Sequence, residues 1–321
     1  PAVVTIGLAL GVQRMAKRHV LIRKLPSVET LGCTTVICSD KTGTLTKNEM
    51  TVKKIYADNI IFDVTGTGYS PDGYFTIDDN RVNTENFPCL NKSLICATIC
   101  NSSNLINKDG VWSIVGDPTE AALLVAARKA GIIKQEIEKE FQMIDEIPFD
   151  SERKRMTVVA KYKEETIAFI KGAPDVLLNL CSFIEENGKT KPMDDYTKKK
   201  ITEITNSFAR EALRVIATGY RKIEPGTNIT EENIEKNIIF TGLLAMIDPP
   251  REEVKPAIQT CRKAGIKVKM ITGDHKQSAV AIAKTLSLIE NEESVITGEQ
   301  LDKIDENRLY DVVENTCVYA R

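Results

Sequence analysis

Apolar positions along this chain follow two regimes. At 34–40 a short β-branched run ends in a polar, Gly-containing loop, which predicts a buried strand feeding that loop. The same grammar returns far downstream. Ile238–Ile247 is a largely apolar run that stops at Asp248-Pro249-Pro250-Arg251, and a helical pattern covers 252–264. A strand at 266–271 then stops at Thr272-Gly273-Asp274, which opens a helix reaching about 288. A strand at 294–297, a helix over 299–314 and a strand at 317–319 continue the alternation. Strand alternating with helix predicts an α/β, doubly wound parallel sheet.

The middle, 57–237, reads differently. Turn signals at Gly66-Thr67-Gly68 and Asn187-Gly188, alternating strands at 156–162 and 166–170, and a few helices predict an α+β domain on an antiparallel sheet. Because the parallel pattern flanks it on both sides, the middle is expected to be an insertion. The division predicted is 1–31, then 32–56 and 238–321 as two parts of one domain, with 57–237 inserted between them. At the start, Pro1 opens into an apolar stretch shorter than the ~20 residues that cross a bilayer, and a run of basic residues follows. Two readings stay open for it: the end of a transmembrane helix leaving on its cytoplasmic side, or a buried helix with a solvated basic tail.

A length of 321 residues favours two domains. A formal net charge of -2 supplies no general attraction to nucleic acid, so no nucleic-acid partner is expected and any anion site must be local. The 8 cysteines show no C-x-x-C pair, which predicts reduced core residues rather than a disulfide or metal framework.

Candidate chemistry concentrates where the predicted parallel strands end. Ligands of such sheets bind beyond the carboxyl ends of the strands, and Asp40-Lys41-Thr42-Gly43-Thr44, Asp248-Pro249-Pro250-Arg251 and Thr272-Gly273-Asp274 all fall there. Asp40 is a carboxylate able to form an acyl phosphate. The Gly43 loop lets backbone N–H groups approach phosphate oxygens. Thr272, expected at a helix entry, offers a hydroxyl and free N–H groups to an anion, and Lys41 or Arg251 can neutralise charge on a transferred group.

Asp40-Lys41-Thr42-Gly43-Thr44-Leu45-Thr46, followed by Asp-Pro-Pro-Arg and Thr-Gly-Asp, resembles the P-type ATPases, whose phosphorylation domain is haloacid-dehalogenase-like. The resemblance implies Asp40 as the phosphorylated residue and Thr42 as a contributor to the Mg2+ and phosphate site, with Lys41, Thr272, Gly273 and Asp274 completing the catalytic group. It further implies that the inserted domain binds ATP. Lys171-Gly172-Ala173-Pro174-Asp175 is similar to the family's Lys-Gly-Ala-Pro-Glu motif, and Phe149 to the aromatic that stacks on adenine. Glu120, Lys154 and Arg214 match further nucleotide-site positions, and Asp248 and Arg251 are grouped with them. Ser151 stands where some relatives carry Arg. Pro26-Ser27 leans toward calcium-transporting members, implying Ca2+ as the transported cation and a multi-pass membrane parent with this part on the cytoplasmic side.

The resemblance also implies that a hinge Lys and a Gly-Asp-Gly-x-Asn-Asp motif belong beyond Arg321, so that ATP binding without efficient self-phosphorylation is expected. Two other classes compete: a haloacid-dehalogenase-type phosphatase with a large cap, which wants Asp where Thr42 stands, and a nucleotide-binding module without catalysis.

Overall fold

The computed structural model describes residues 2–321, and Pro1 lies outside the described residues. The chain forms two compact units: residues up to Leu45 with Arg251–Lys276 and Ala283–Arg321, and Thr46–Pro250 with Gln277–Ile282.

In the first unit, four short strands form a parallel sheet in the order Val36–Asp40, Lys267–Ile271, Val318–Ala320, Val295–Thr297. Its register sets Asp40 opposite Ile271 and Ile271 opposite Tyr319, so the strands' carboxyl ends are level. Met270, Val318 and Ala320 are buried in the sheet, and Val254 and Ile258 of the helix Val254–Lys263 are buried with them. The helix expected over 299–314 is two helices, Gly298–Leu301 and Glu306–Asn315. Asp305 caps the second by accepting from the Asn307 N–H, and this restart interrupts the apolar period. The helix Ala2–Ala16 buries none of its residues; among the described residues no helix is long and apolar enough to cross a membrane.

The second unit is built on an 11-stranded sheet. Its main path runs Asn80–Val82, Phe75–Ile77, Ile60–Val64, Thr51–Ala57, Ile238–Ile247, Arg214–Ile223, Glu165–Gly172, Arg155–Tyr162, Phe141–Asp150. Ile238–Ile247 was expected in the parallel sheet of the first unit; it instead joins the 11-stranded sheet, antiparallel to both Thr51–Ala57 and Arg214–Ile223 and parallel, at its start, to Cys181–Glu186. The reason is that the sheet is covered on both faces. Leu244 and Met246 pack with Leu90, Leu94, Leu123 and Ala126 of the helices Pro88–Ile99 and Pro118–Lys129. Leu243 and Ala245 point the other way, into a cluster with Leu177, Ile201 and Phe208. A strand buried on both faces loses its polar alternation, and that apolar run looks the same in parallel and antiparallel surroundings.

The turn expected at Asn187-Gly188 joins the antiparallel strands Cys181–Glu186 and Lys189–Pro192, with φ of 48° and 69° at the two residues. Those values suit a tight hairpin turn. Cys89, Cys96, Cys100 and Cys181 are buried as expected, whereas Cys33 and Cys38 are exposed; all 8 thiols are free.

Candidate functional site

Four strand ends and one helix start enclose a cavity of about 540 Å³ in the second unit. That volume suits a small organic ligand. Glu120, Phe149, Lys154, Lys171, Gly172 and Arg214, separated by up to 94 positions, all line it.

The floor is a buried ion pair. Lys171 Nζ donates to Glu120 Oε1 at 2.5 Å, with the two side chains 7% and 17% exposed. Glu120 Oε2 accepts from the Ser102 N–H at 2.8 Å, so its carboxylate is held at both oxygens. The helix that carries Glu120 begins at the cavity because Asp117 caps it, accepting from Thr119 N at 2.8 Å and Glu120 N at 3.2 Å, and because Pro118 suits the first helical turn. Beneath the loop, Lys134 Nζ donates to the Asn101 and Ser103 carbonyls, and burial there lowers its pKa.

The mouth is built differently. Phe149 is 61% exposed, an aromatic face presented to solvent beside charged groups. Arg214 Nη1 donates to Thr119 Oγ1 at 3.1 Å. Lys154 sits in a tight turn at φ 53°, and its side chain has no ion-pair partner among the described residues. Gly172 is required by packing, since a Cβ there would come within 2.7 Å of both Arg155 Cβ and Lys154 O. A flat face and three cations lining one cavity suit a ligand with a planar ring and an anionic tail. Sequence reading missed Ser102, Ser103, Asp117 and Thr119 as lining residues. The Asp117-Pro118 cap signature was the available signal for the last two.

The Asp40 region belongs to the first unit. Asp40 is exposed at the end of its strand, and Thr42 and Gly43 follow in a non-helical loop with Gly43 at φ 74°. Arg251 Nη2 donates to Gly43 O at 3.0 Å, pinning that loop. Lys41 is buried and ion-paired with the Asp274 carboxylate. Thr272 is not at a helix entry: the next helix begins at Lys276, and the Thr272 hydroxyl instead accepts from the Asp274 N–H at 3.1 Å. Gly273 has open space where a Cβ would stand.

Asp248, expected near these groups, belongs to the second unit. Its carboxylate accepts from Thr46 Oγ1 at 2.5 Å and from the Glu49 N–H at 3.2 Å. Among the described residues no cluster of three or more His, Cys, Asp or Glu side chains stands ready for a metal. Mg2+ sites built on one or two carboxylates complete their shell with water and phosphate oxygens. Asp40 and Thr42, both exposed hard-oxygen donors, fit such a partial set.

The family model described as P-type ATPase, cytoplasmic domain N, matches residues 89–253. Over its whole length the chain is similar to a calcium-transporting ATPase of Bacillus subtilis (44% identical, 36% of that protein covered). It is likewise similar to calcium-transporting ATPase 1 of Bacillus cereus (43% identical, 34% covered) and to a cation-transporting ATPase of Synechocystis (42% identical, 36% covered). The chain thus spans about a third of the length of the curated relatives it matches. The match takes in the strands and the helix start that form the cavity, and on it the chain belongs to the P-type ATPase family and contains the family's cytoplasmic domain N.

Proposed function

We propose that the cavity binds ATP and that Asp40 accepts its γ-phosphoryl group, as part of a membrane pump for cations. The observation that carries the ATP site is the convergence of Phe149, Lys154, Lys171, Glu120 and Arg214 on one cavity of suitable size. In this reading Phe149 stacks on adenine, Lys171 lies beside the base with its position fixed by Glu120, and Lys154 and Arg214 offset phosphate charge.

The phosphate acceptor rests on the exposed carboxylate at the end of a parallel strand and on the loop after it. An Asp40 carboxylate oxygen attacks the γ-phosphorus, the bond from that phosphorus to the β–γ bridging oxygen breaks, and ADP departs with the bridging oxygen. The product is an aspartyl phosphate. Gly43, at φ 74°, lets the backbone of this loop approach phosphate oxygens, and Arg251 holds the Gly43 carbonyl so that the loop keeps this shape. Lys41, neutralised by Asp274, is a structural cation of the loop in this arrangement. Asp40 and Thr42 are the residues that would hold Mg2+, which when bound screens the phosphate oxygens' negative charge.

Ca2+ is the cargo favoured by the relatives' names and by Pro26-Ser27. The test is an ATP titration of the chain alongside acid-quenched labelling of a full-length protein carrying this sequence. ATP should bind in preference to simple phosphate monoesters, and Asp40→Asn should abolish the hydroxylamine-sensitive phosphoprotein while ATP affinity stays within about twofold. A label that survives Asp40→Asn removes Asp40 as the acceptor. Preference for phosphate monoesters would favour the phosphatase reading instead.

A further inference from the structure

The turn that carries Lys154 is a run of three cations, Arg153-Lys154-Arg155, and repulsion alone would splay it into solvent. The structure sorts the three. Arg153 Nη2 donates to Glu235 Oε1 at 2.9 Å, Arg155 Nε donates to Glu235 Oε2 at 2.5 Å, and Thr157 Oγ1 donates to Glu235 Oε1 at 2.6 Å. Glu231 takes the remaining arm of Arg153 at 2.8 Å. The Glu235 side chain is 2% exposed, and those of Arg153 and Arg155 are 16% and 17% exposed.

Two of the three cations are therefore drawn down onto one buried carboxylate, and the one between them is left exposed at the cavity. The backbone completes the arrangement. Asp150 Oδ1 accepts from the N–H groups of Glu152 and Arg153, Lys154 N donates to Asp150 O at 2.7 Å, and Lys154 O accepts from Ala173 N at 2.9 Å. The last bond ties the Lys154 turn to the strand end bearing Lys171 and Gly172. Glu235 itself does not line the cavity and lies just after the short helical segment Glu231–Ile234 that precedes Ile238–Ile247, about 80 positions away in sequence.

We propose that Glu235 is a positioning residue for the nucleotide site: by clasping Arg153 and Arg155 it holds Lys154 at the cavity and keeps the two arginines out of it. This rests on the ATP-binding reading above. A buried carboxylate that serves two guanidinium groups and a hydroxyl fixes geometry more firmly than surface pairs do, because each partner that leaves exposes an uncompensated charge.

The test is a double-mutant cycle with Glu235→Gln and Lys154→Met, measuring ATP affinity by calorimetry and local amide exchange of the nucleotide-free chain. Glu235→Gln should weaken ATP about tenfold in the parent background and less than about twofold when Lys154 is already Met. In the nucleotide-free chain, the Lys154 and Ala173 amides should exchange about tenfold faster in Glu235→Gln, while amides of the helix Pro88–Ile99 stay unchanged. Equal loss of ATP affinity in both backgrounds, or unaltered exchange at Lys154 and Ala173, overturns the proposal. A parent chain that fails to bind ATP would defeat the reading of the cavity, and the exchange measurement would still decide whether Glu235 holds the turn. If Glu235→Gln does not fold, Arg155→Gln removes the shortest of the clasp contacts and is read in the same way.

Discussion

The cavity and the Asp40 loop solve opposite problems. In the larger unit, the groups proposed to hold ATP share one cavity, and the charges that frame it are anchored below the surface: Lys171 on Glu120, and Arg153 and Arg155, which flank the exposed Lys154, on Glu235. In the smaller unit, Asp40, Thr42 and Gly43 are exposed, and their loop is fixed at its flanks by Arg251 on Gly43 O and by Lys41 on Asp274. A recognition site gains from burying its framework, since geometry and charge are then set before the ligand arrives. A phosphate acceptor must instead stay reachable, so only the residues around it can be locked.

The largest stability effect that would break this contrast is expected at the cavity floor. Lys171→Met should strand Glu120 and destabilise the chain by about 3–5 kcal/mol in urea unfolding. A change under about 1 kcal/mol would mean the pair is solvated and the framework is not buried. Phe149→Ala should separate binding from folding: stability within about 0.5 kcal/mol of the parent because the ring is exposed, with ATP affinity lower by about 1–3 kcal/mol from lost stacking. Equal losses in both measurements would make Phe149 a packing residue.

Two smaller effects sharpen the comparison. Burial, with Lys53 nearby, pulls the Lys129 pKa down to about 8 in the larger unit. Between that value and the ordinary 10.5 the unfolded chain holds more protons than the folded one, so stability should rise with pH across the window. The gain should be missing from Lys129→Met when the two are compared by thermal unfolding from about pH 7.5 to 9.5. Thiol reactivity should divide the same way. Cys33 and Cys38 should react rapidly with an aromatic disulfide reagent, while Cys89, Cys96, Cys100 and Cys181 wait for unfolding; burial also raises the Cys181 pKa to about 12.

Much of this could be read from sequence, for identifiable reasons. The motif around Asp40 and the strand-helix alternation after 252 are local patterns, and the elements they signal form close to their expected positions. The cavity residues could be assembled through resemblance, although nothing in their spacing alone brings Glu120 beside Lys171. Ile238–Ile247 went to the wrong sheet because an apolar run carries no sign of its neighbours' direction. Thr272 was set at a helix entry because a helical pattern follows the strand end at Thr-Gly-Asp, while the Asp274 N–H takes up its hydroxyl locally and the helix begins at Lys276. Glu235 gave no signal at all: a Glu among polar residues reads as solvent-exposed, and only the folded sheet brings two arginines to it.

The place where the chain enters and leaves the larger unit has an evolutionary and kinetic consequence. Thr46 and Pro250 form an isolated antiparallel bridge, and the Thr46 hydroxyl is held by the Asp248 carboxylate at 2.5 Å. More than two hundred residues therefore begin and end at nearly one point. To the strand before it and the helix after it, this whole length counts as a short loop, with little closure entropy once its own sheet has formed. A region stitched shut at its neck can be gained, exchanged or lengthened over evolution without changing the register of the parallel strands on either side of it.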